Sequence, residues 1–329
     1  MSDTDQHLSF ETCREELLPA LQNVELAMVG KSDVVRLMFM SVLAGGHCLI
    51  EDVPGVGKTL LAKAVAQTCG CEFQRIQFTP DLLPSDVTGV TIYHAELHQF
   101  EFRKGPIFGQ VVLADEINRS SPRTQSALLE AMEEGTVTVD GEAHALPRPF
   151  FVLATQNPLE FDATFPLPEA ELDRFLMRVA IGYPSEEDEI ELLSYRKGSH
   201  ALSGMSAKVT PQQLLTWQAQ VREVHVHPEV KAFLVQLVRA TRTHPSVRLG
   251  ASPRAGLGLL AAAQASAFLN GRDFVVPDDV LQLMGPVLGH RIRLKSDARI
   301  QGLTVEDLLD EIATQIPVPG ISSPEASMR

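Results

Sequence analysis

Between about residues 45 and 182 the chain alternates short apolar runs with stretches of helical periodicity. The β-rich runs 47–50, 73–77, 110–114, 150–156 and 178–181 predict the strands. Strands alternating with helices predict an α/β domain, a mainly parallel sheet covered by helices on each side. Two segments break the rhythm. Gly135-Thr136-Val137-Thr138-Val139-Asp140-Gly141 alternates β-branched with small or polar residues and then turns on Asp-Gly, predicting a hairpin over about 135–146. Val90-Thr91-Ile92-Tyr93 and Phe100-Glu101-Phe102-Arg103 predict a weaker one within about 88–104.

Beyond Tyr183-Pro184 the strand signals stop. Ser185 with Asp188, Thr210 with Gln213 and Thr304 with Asp307 each form a capping-box pattern, and Ser252-Pro253 and Val276-Pro277 put proline at a helix start. The pattern predicts a first domain over 1–184, an all-helical domain over 185–320 and a flexible tail over 321–329.

Composition narrows the function classes. A length of 329 residues suffices for two domains with proper cores. The net charge of −14 gives no diffuse positive field to attract nucleic acid or anionic lipid. No apolar run is long enough to span a bilayer, and the N-terminus does not read as a secretory segment. With Cys13, Cys48, Cys69 and Cys71 as the only cysteines, this favours the reducing cytoplasm. Cys69-Gly70-Cys71 lacks the second pair a zinc site needs and reads as ordinary thiols. His94 and His98 lack a third ligand, and His225 and His227 read as surface residues.

The strongest chemical signal is Glu51-Asp52-Val53-Pro54-Gly55-Val56-Gly57-Lys58-Thr59, set between an apolar strand-like run and a helix-like one. Gly55 and Gly57 free the backbone to curl around a phosphate, with N–H groups and the positive helix end aimed at it. Candidate nucleotide-binding residues are Asp52, Pro54, Gly55, Val56, Gly57, Lys58, Thr59 and Leu60. Lys58 suits the β and γ phosphates, and Thr59 suits Mg²⁺. Asp52 stands where the general phosphate loop has its first glycine.

A phosphate loop alone binds without hydrolysing, and the remaining parts follow in order. The run Gln110–Ala114 ends in Asp115-Glu116 at the carboxyl edge of the predicted sheet. Asp115 would hold Mg²⁺ directly or through water; Glu116 would act on the attacking water as general base or orienter. Asn157, after the run 150–156, can hydrogen-bond the γ-phosphate or that water without adding charge. Arg174 precedes the last strand and Arg254 opens a helix of the second domain; each offers a planar fork suited to a phosphoryl-transfer transition state.

These motifs, with Asp115-Glu116-Ile117-Asn118-Arg119, Pro166-Leu167-Pro168-Glu169-Ala170 and Ser252-Pro253-Arg254-Ala255, resemble the MoxR family of AAA+ ATPases over nearly the whole chain. The Asp52 departure is itself the family's version of the loop. The resemblance implies an αβα ATPase core with a helix-2 insert (about 88–104) and a pre-sensor hairpin (about 135–146), followed by a helical lid. It further implies ATP and Mg²⁺ as cofactors and a homo-oligomeric ring, usually a hexamer. Asn157 becomes the sensor-1 residue, Arg174 the arginine finger and Arg254 the sensor-2 arginine, acting on its own nucleotide or a neighbour's. Family members act as chaperone-like motors on protein partners, often ones bearing a von Willebrand factor A domain. Two other classes are a nucleic-acid motor or loader, opposed by the charge, and a nucleotide-gated scaffold, opposed by the complete set of hydrolytic residues.

Overall fold

The computed structural model describes residues 10–96, 98–157, 164–194, 202 and 204–320. The predicted tail over 321–329 lies outside the described residues. Helices α1 (Phe10–Glu25) and α2 (Ser32–Leu43) precede strand β1 (Cys48–Glu51), helix α3 (Lys58–Thr68) and strand β2 (Phe73–Gln77). The short helix α4 (Pro84–Thr88) leads into an antiparallel hairpin of β3 (Gly89–His94) and β4 (Gln99–Lys104). Then come β5 (Val111–Asp115), α5 (Pro122–Glu134) and a second hairpin of β6 (Thr136–Val139) and β7 (Glu142–Ala145). Strand β8 (Phe151–Gln156), helix α6 (Glu169–Leu172) and strand β9 (Met177–Val179) complete this half.

Strands β2, β5, β8, β1 and β9 form, in that spatial order, one five-stranded parallel sheet. Its inner strands are apolar up to their carboxyl ends because both faces are covered, and the pleat sorts successive residues to opposite cores. Cys48 and Ile50 of β1 join Val111, Leu113, Phe151 and Leu153 on the face that α1, α2 and α3 cover. Leu49 joins Val112, Ala114, Val152 and Ala154 on the face of α4 and α5, packing against Val87, Leu128 and Leu129.

The second half is built from α7 (Glu186–Ser194), α8 (Pro211–Glu223), α9 (Pro228–Thr243), β10 (Val247–Leu249), α10 (Pro253–Leu269) and α11 (Pro277–Leu288). It ends with β11 (Arg293–Leu294), α12 (Ser296–Ile300) and α13 (Val305–Gln315). Local chemistry sets the starts: the Thr210 and Thr304 hydroxyls cap α8 and α13, and Ser252 caps α10. The half is not purely helical, since β10 and β11 pair as a small antiparallel ribbon. Strands of three and two residues carry no alternation that a sequence pattern could reveal.

The two halves share a core. Trp217 of α8 is fully buried in the same cluster as Phe39 of α2, and α10 contributes Leu259 and Phe268. Gln218 donates to the Val42 carbonyl at 2.7 Å, and the Cys13 thiol to Gln220 at 3.2 Å, so α8 is also polar-anchored to the first half.

Candidate nucleotide site

At the carboxyl edge of the sheet, β1 hands the chain to the phosphate loop and the loop to α3. Gly55 and Gly57 sit at φ +90° and +98°, the left-handed region that a side chain would strain. Gly57 is the residue just before α3, so the loop ends on the positive helix terminus. Lys58 opens the helix and its Nζ donates to the Asp52 carbonyl at 2.5 Å, folding the side chain back over the loop. Thr59 and Leu60 follow in the first turn, half-buried.

The Asp52 carboxylate is taken up by backbone donors. It is buried and accepts from the backbone N–H of Val53 at 2.8 Å, and of Ile181 and Gly182 at 2.6 Å each. Asp52 therefore anchors the loop to the turn after β9 through its side chain. An acid facing a triphosphate would repel it; three N–H donors neutralise it instead.

Strand β5 delivers Asp115, and Glu116 follows at φ 58°, a left-handed residue that turns its side chain out of the strand direction. Thr155 of β8 donates its hydroxyl to Asp115 Oδ1 at 2.7 Å and accepts the Glu116 N–H at 2.9 Å, locking the two acids together. Arg75 of β2 lies 2.6 Å from Asp115 Oδ2. Gln77 and Arg119 donate to Glu116 Oε2 at 2.8 and 3.0 Å. The sequence reading missed Arg75, Gln77, Thr155 and Arg119. For Arg75 and Gln77 the signal was available only through strand order, because β2 lies beside β5 with Gln77 opposite Asp115, whereas Arg119 is a local partner three residues after Glu116.

A carboxylate with hydroxyl oxygens beside a phosphate loop is a hard-oxygen donor set, and it fits Mg²⁺. Among the described residues no three His, Cys, Asp or Glu side chains converge as a metal cage, so a divalent ion here would take phosphate oxygens and water as further ligands. Asn157 follows β8, buried, on the strand next to β1. It therefore stands beside the phosphate loop at the same edge.

Arg174 and Arg254 are elsewhere. Both lie at the opposite, amino-terminal edge of the sheet, on the side where β1, β8 and β9 begin. His47, just before β1, marks that edge: its Nδ1 accepts the Val152 N–H and its Nε2 donates to the Met132 carbonyl, both at 3.1 Å. Burial pushes the His47 imidazole down to about 4, with the Arg254 charge adding to the effect. Glu133, at the end of α5, takes both arginines on one carboxylate. Its Oε2 is 3.3 Å from Arg174 Nε and its Oε1 accepts from Arg254 Nη1 at 3.0 Å. Because β8 is six residues long, this cluster lies about 20 Å from the phosphate loop of the same chain. Gly46, His47, Glu133, Arg174, Arg254 and Arg291 line a cleft of about 310 Å³ there.

The segment carrying Arg174 is held by the second half. Buried Arg291 donates to the carbonyls of Asp173 at 3.0 Å and Phe175 at 2.8 Å, and its Nε lies 2.8 Å from Asp173 Oδ1 off the hydrogen-bond axis. Ser252, the cap of α10, donates to Asp173 Oδ2 at 2.8 Å. Arg254 and Arg174 thus come to the cluster from elements that are themselves tied together.

The remaining candidates sit in local structural contacts. His94 pairs with Glu101 across the first hairpin at 2.7 Å, and His98 Nδ1 meets the Tyr93 hydroxyl at 3.1 Å. All four cysteines are free thiols, and burial raises Cys71 to about 11. His227 is exposed as expected, but its Nδ1 also accepts the Glu229 N–H and caps α9. The two hairpins touch through Phe102 and His144, whose rings stack at 4.0 Å, and Phe100 is largely exposed beside them.

Residues 47–177 match the ATPase family associated with various cellular activities, and residues 239–312 match an AAA lid domain. The chain is 39% identical to the Mycobacterium tuberculosis protein Chaperone MoxR1 over 92% of this chain and 82% of that one. It is 50% identical to the Bacillus subtilis protein YeaC, over 93% of this chain and 97% of the other. A crystal structure from Cytophaga hutchinsonii superposes with a TM-score of 0.87 at 35% identity, covering 94% of this chain and 97% of that one.

Proposed function

We propose, from the premise that the chain belongs to the MoxR family of AAA+ ATPases, that it hydrolyses ATP at the interfaces between its own copies and so drives a change in a protein partner. Support comes chiefly from the division of the candidate site between two edges. Lys58, Asp115, Glu116 and Asn157 stand at one, Arg174 and Arg254 about 20 Å away at the other. A second copy bringing its amino-terminal sheet edge to the first copy's carboxyl edge would complete the site. On this geometry Arg254 acts on a neighbour's nucleotide together with Arg174, and repetition of the contact closes a ring, expected to be a hexamer.

In that site Lys58 and the loop N–H groups bind the β and γ phosphates. Thr59 and Asp115 would hold Mg²⁺, which neutralises the charge developing on the phosphate oxygens. Glu116 orients the attacking water and takes its proton at the carboxylate, and Asn157 hydrogen-bonds the water or the γ-phosphate. Arg75, paired with Asp115 Oδ2, helps to fix the orientation of that carboxylate. The neighbour's two guanidinium groups spread over the transferring phosphoryl group, where their charge counts most in the transition state. The hairpins and the lid are the elements free to pass the nucleotide state to a partner, which we take to be a protein with a von Willebrand factor A domain, in the cytoplasm.

Mixing tests the shared site. Arg174→Ala and Lys58→Ala proteins, each inactive alone, should regain partial ATP hydrolysis when combined under subunit exchange, because some interfaces then pair a sound loop with a sound arginine. No recovery in mixtures shown to exchange and assemble would overturn the trans assignment.

A further inference from the structure

The proposed trans site leaves an unanswered physical question, namely what holds two like-charged side chains together on an exposed edge before a phosphate is there. Arg174 and Arg254 come from different elements, the segment before β9 and the first turn of α10. Left alone they would repel, and each would lose the rotamer freedom of a long side chain on meeting a ligand. Glu133 removes both difficulties at once. Its two oxygens are used separately, Oε2 for Arg174 at 3.3 Å and Oε1 for Arg254 at 3.0 Å. The three groups carry a net charge of +1, which still favours an incoming phosphate. The carboxylate comes from the last turn of α5, whose adjoining Met132 carbonyl is pinned by neutral, buried His47. The opposite side of the cluster is pinned by Arg291 and Ser252 through Asp173. The spacing of the two arginines is thus set by groups outside the nucleotide site.

We propose that Glu133 is a positioning residue that presents Arg174 and Arg254 as one preformed pair to the nucleotide of the adjacent subunit. It touches neither the nucleotide nor the water. Its contribution is to the rate of hydrolysis and not to ATP binding, and it belongs to the arginine-donating face of each subunit. This assignment rests on the trans reading above and deepens it.

The test uses full-length Glu133→Gln, which keeps volume and one acceptor oxygen, alongside Glu133→Ala. Expected are kcat values lower by roughly 10-fold in the first and up to roughly 100-fold in the second, the cost typical of misplaced catalytic groups. ATP affinity and assembly size should match the wild type in both. Mixed with Lys58→Ala protein, the Glu133 variants should recover activity, because the Lys58→Ala subunits supply an intact donating face. Mixed with Arg174→Ala protein they should not, because every donating face is then defective. A wild-type kcat in both variants overturns the proposal, as does recovery with Arg174→Ala, which would move Glu133 to the loop side. Failure to recover with Lys58→Ala, in an experiment where the Arg174→Ala and Lys58→Ala mixture does recover, reduces Glu133 to an internal structural role and overturns it too. If the Arg174→Ala and Lys58→Ala mixture itself fails, the trans reading falls and takes this proposal with it.

Discussion

The two edges of the parallel sheet use ionic contacts in opposite ways. At the carboxyl edge, Arg75 pairs with Asp115, and Gln77 and Arg119 donate to Glu116, the two carboxylates proposed to hold a metal and to orient water. At the amino edge, Glu133 joins two arginines that would act together, and its removal would scatter them. On the proposed mechanism the first set lies on carboxylates that would act on the subunit's own ligand, and the second orients arginines that would act on a neighbour's. One fold thus separates the two sets of contacts by the length of a strand, and the local motifs do not distinguish them.

The comparison is tested most severely at the carboxyl edge. Lys58→Ala and Glu116→Gln should each reduce hydrolysis by roughly 10³ or more, but only Lys58→Ala should weaken labelled-ATP binding, by roughly 100-fold or more. Glu116 acts only when water attacks, so its variant should retain ATP; equal binding losses would refute the division of roles. At the amino edge, Arg174→Ala should lose roughly 10³ in kcat and leave ATP binding near the wild-type value. Arg254→Ala should behave alike, and a large drop in ATP affinity for Arg254→Ala alone would return that residue to its own subunit's nucleotide.

Smaller effects concern the framework under each edge. Asp52→Asn replaces a carboxylate facing three N–H donors with an amide that must turn donors toward at least one of them, at a cost of about 2–3 kcal/mol. The melting temperature should fall with and without ATP; an unchanged one would show that the loop needs no such anchor. His47, at about 4 in the fold against 6.5 in the unfolded chain, binds its proton more readily when unfolded. Its contribution, up to about 3 kcal/mol, is therefore complete above pH 6.5 and lost as the pH falls toward 4. A His47→Phe protein should show a flatter stability profile in that window, and an identical slope would remove His47 from the acid response. The smallest expected effect is that of single-stranded DNA, which should leave turnover nearly unchanged at a net charge of −14; a large salt-sensitive stimulation would favour a nucleic-acid motor.

Much of this was legible because it is local. The inner strands β1, β5 and β8 announced themselves through apolar runs, since a strand covered on both faces has few positions for polar residues. The phosphate loop is contiguous, and its chemistry lies in two glycines, a lysine and a helix start within a few residues. The hairpin at Asp140-Gly141 and the caps at Thr210, Ser252 and Thr304 are equally short-range. By itself, then, the sequence determined the main strands of the sheet, several helix starts, where a triphosphate would bind and which acids would follow. Tertiary structure alone decided that Asp52 faces the turn after β9, that Arg75 and Gln77 stand over the acids, that β10 and β11 pair, and that Glu133 joins Arg174 to Arg254. The physical reason is the same in each case. These contacts cross between elements far apart in the chain, and their partners are chosen by strand order and helix docking, which no window of neighbouring residues encodes.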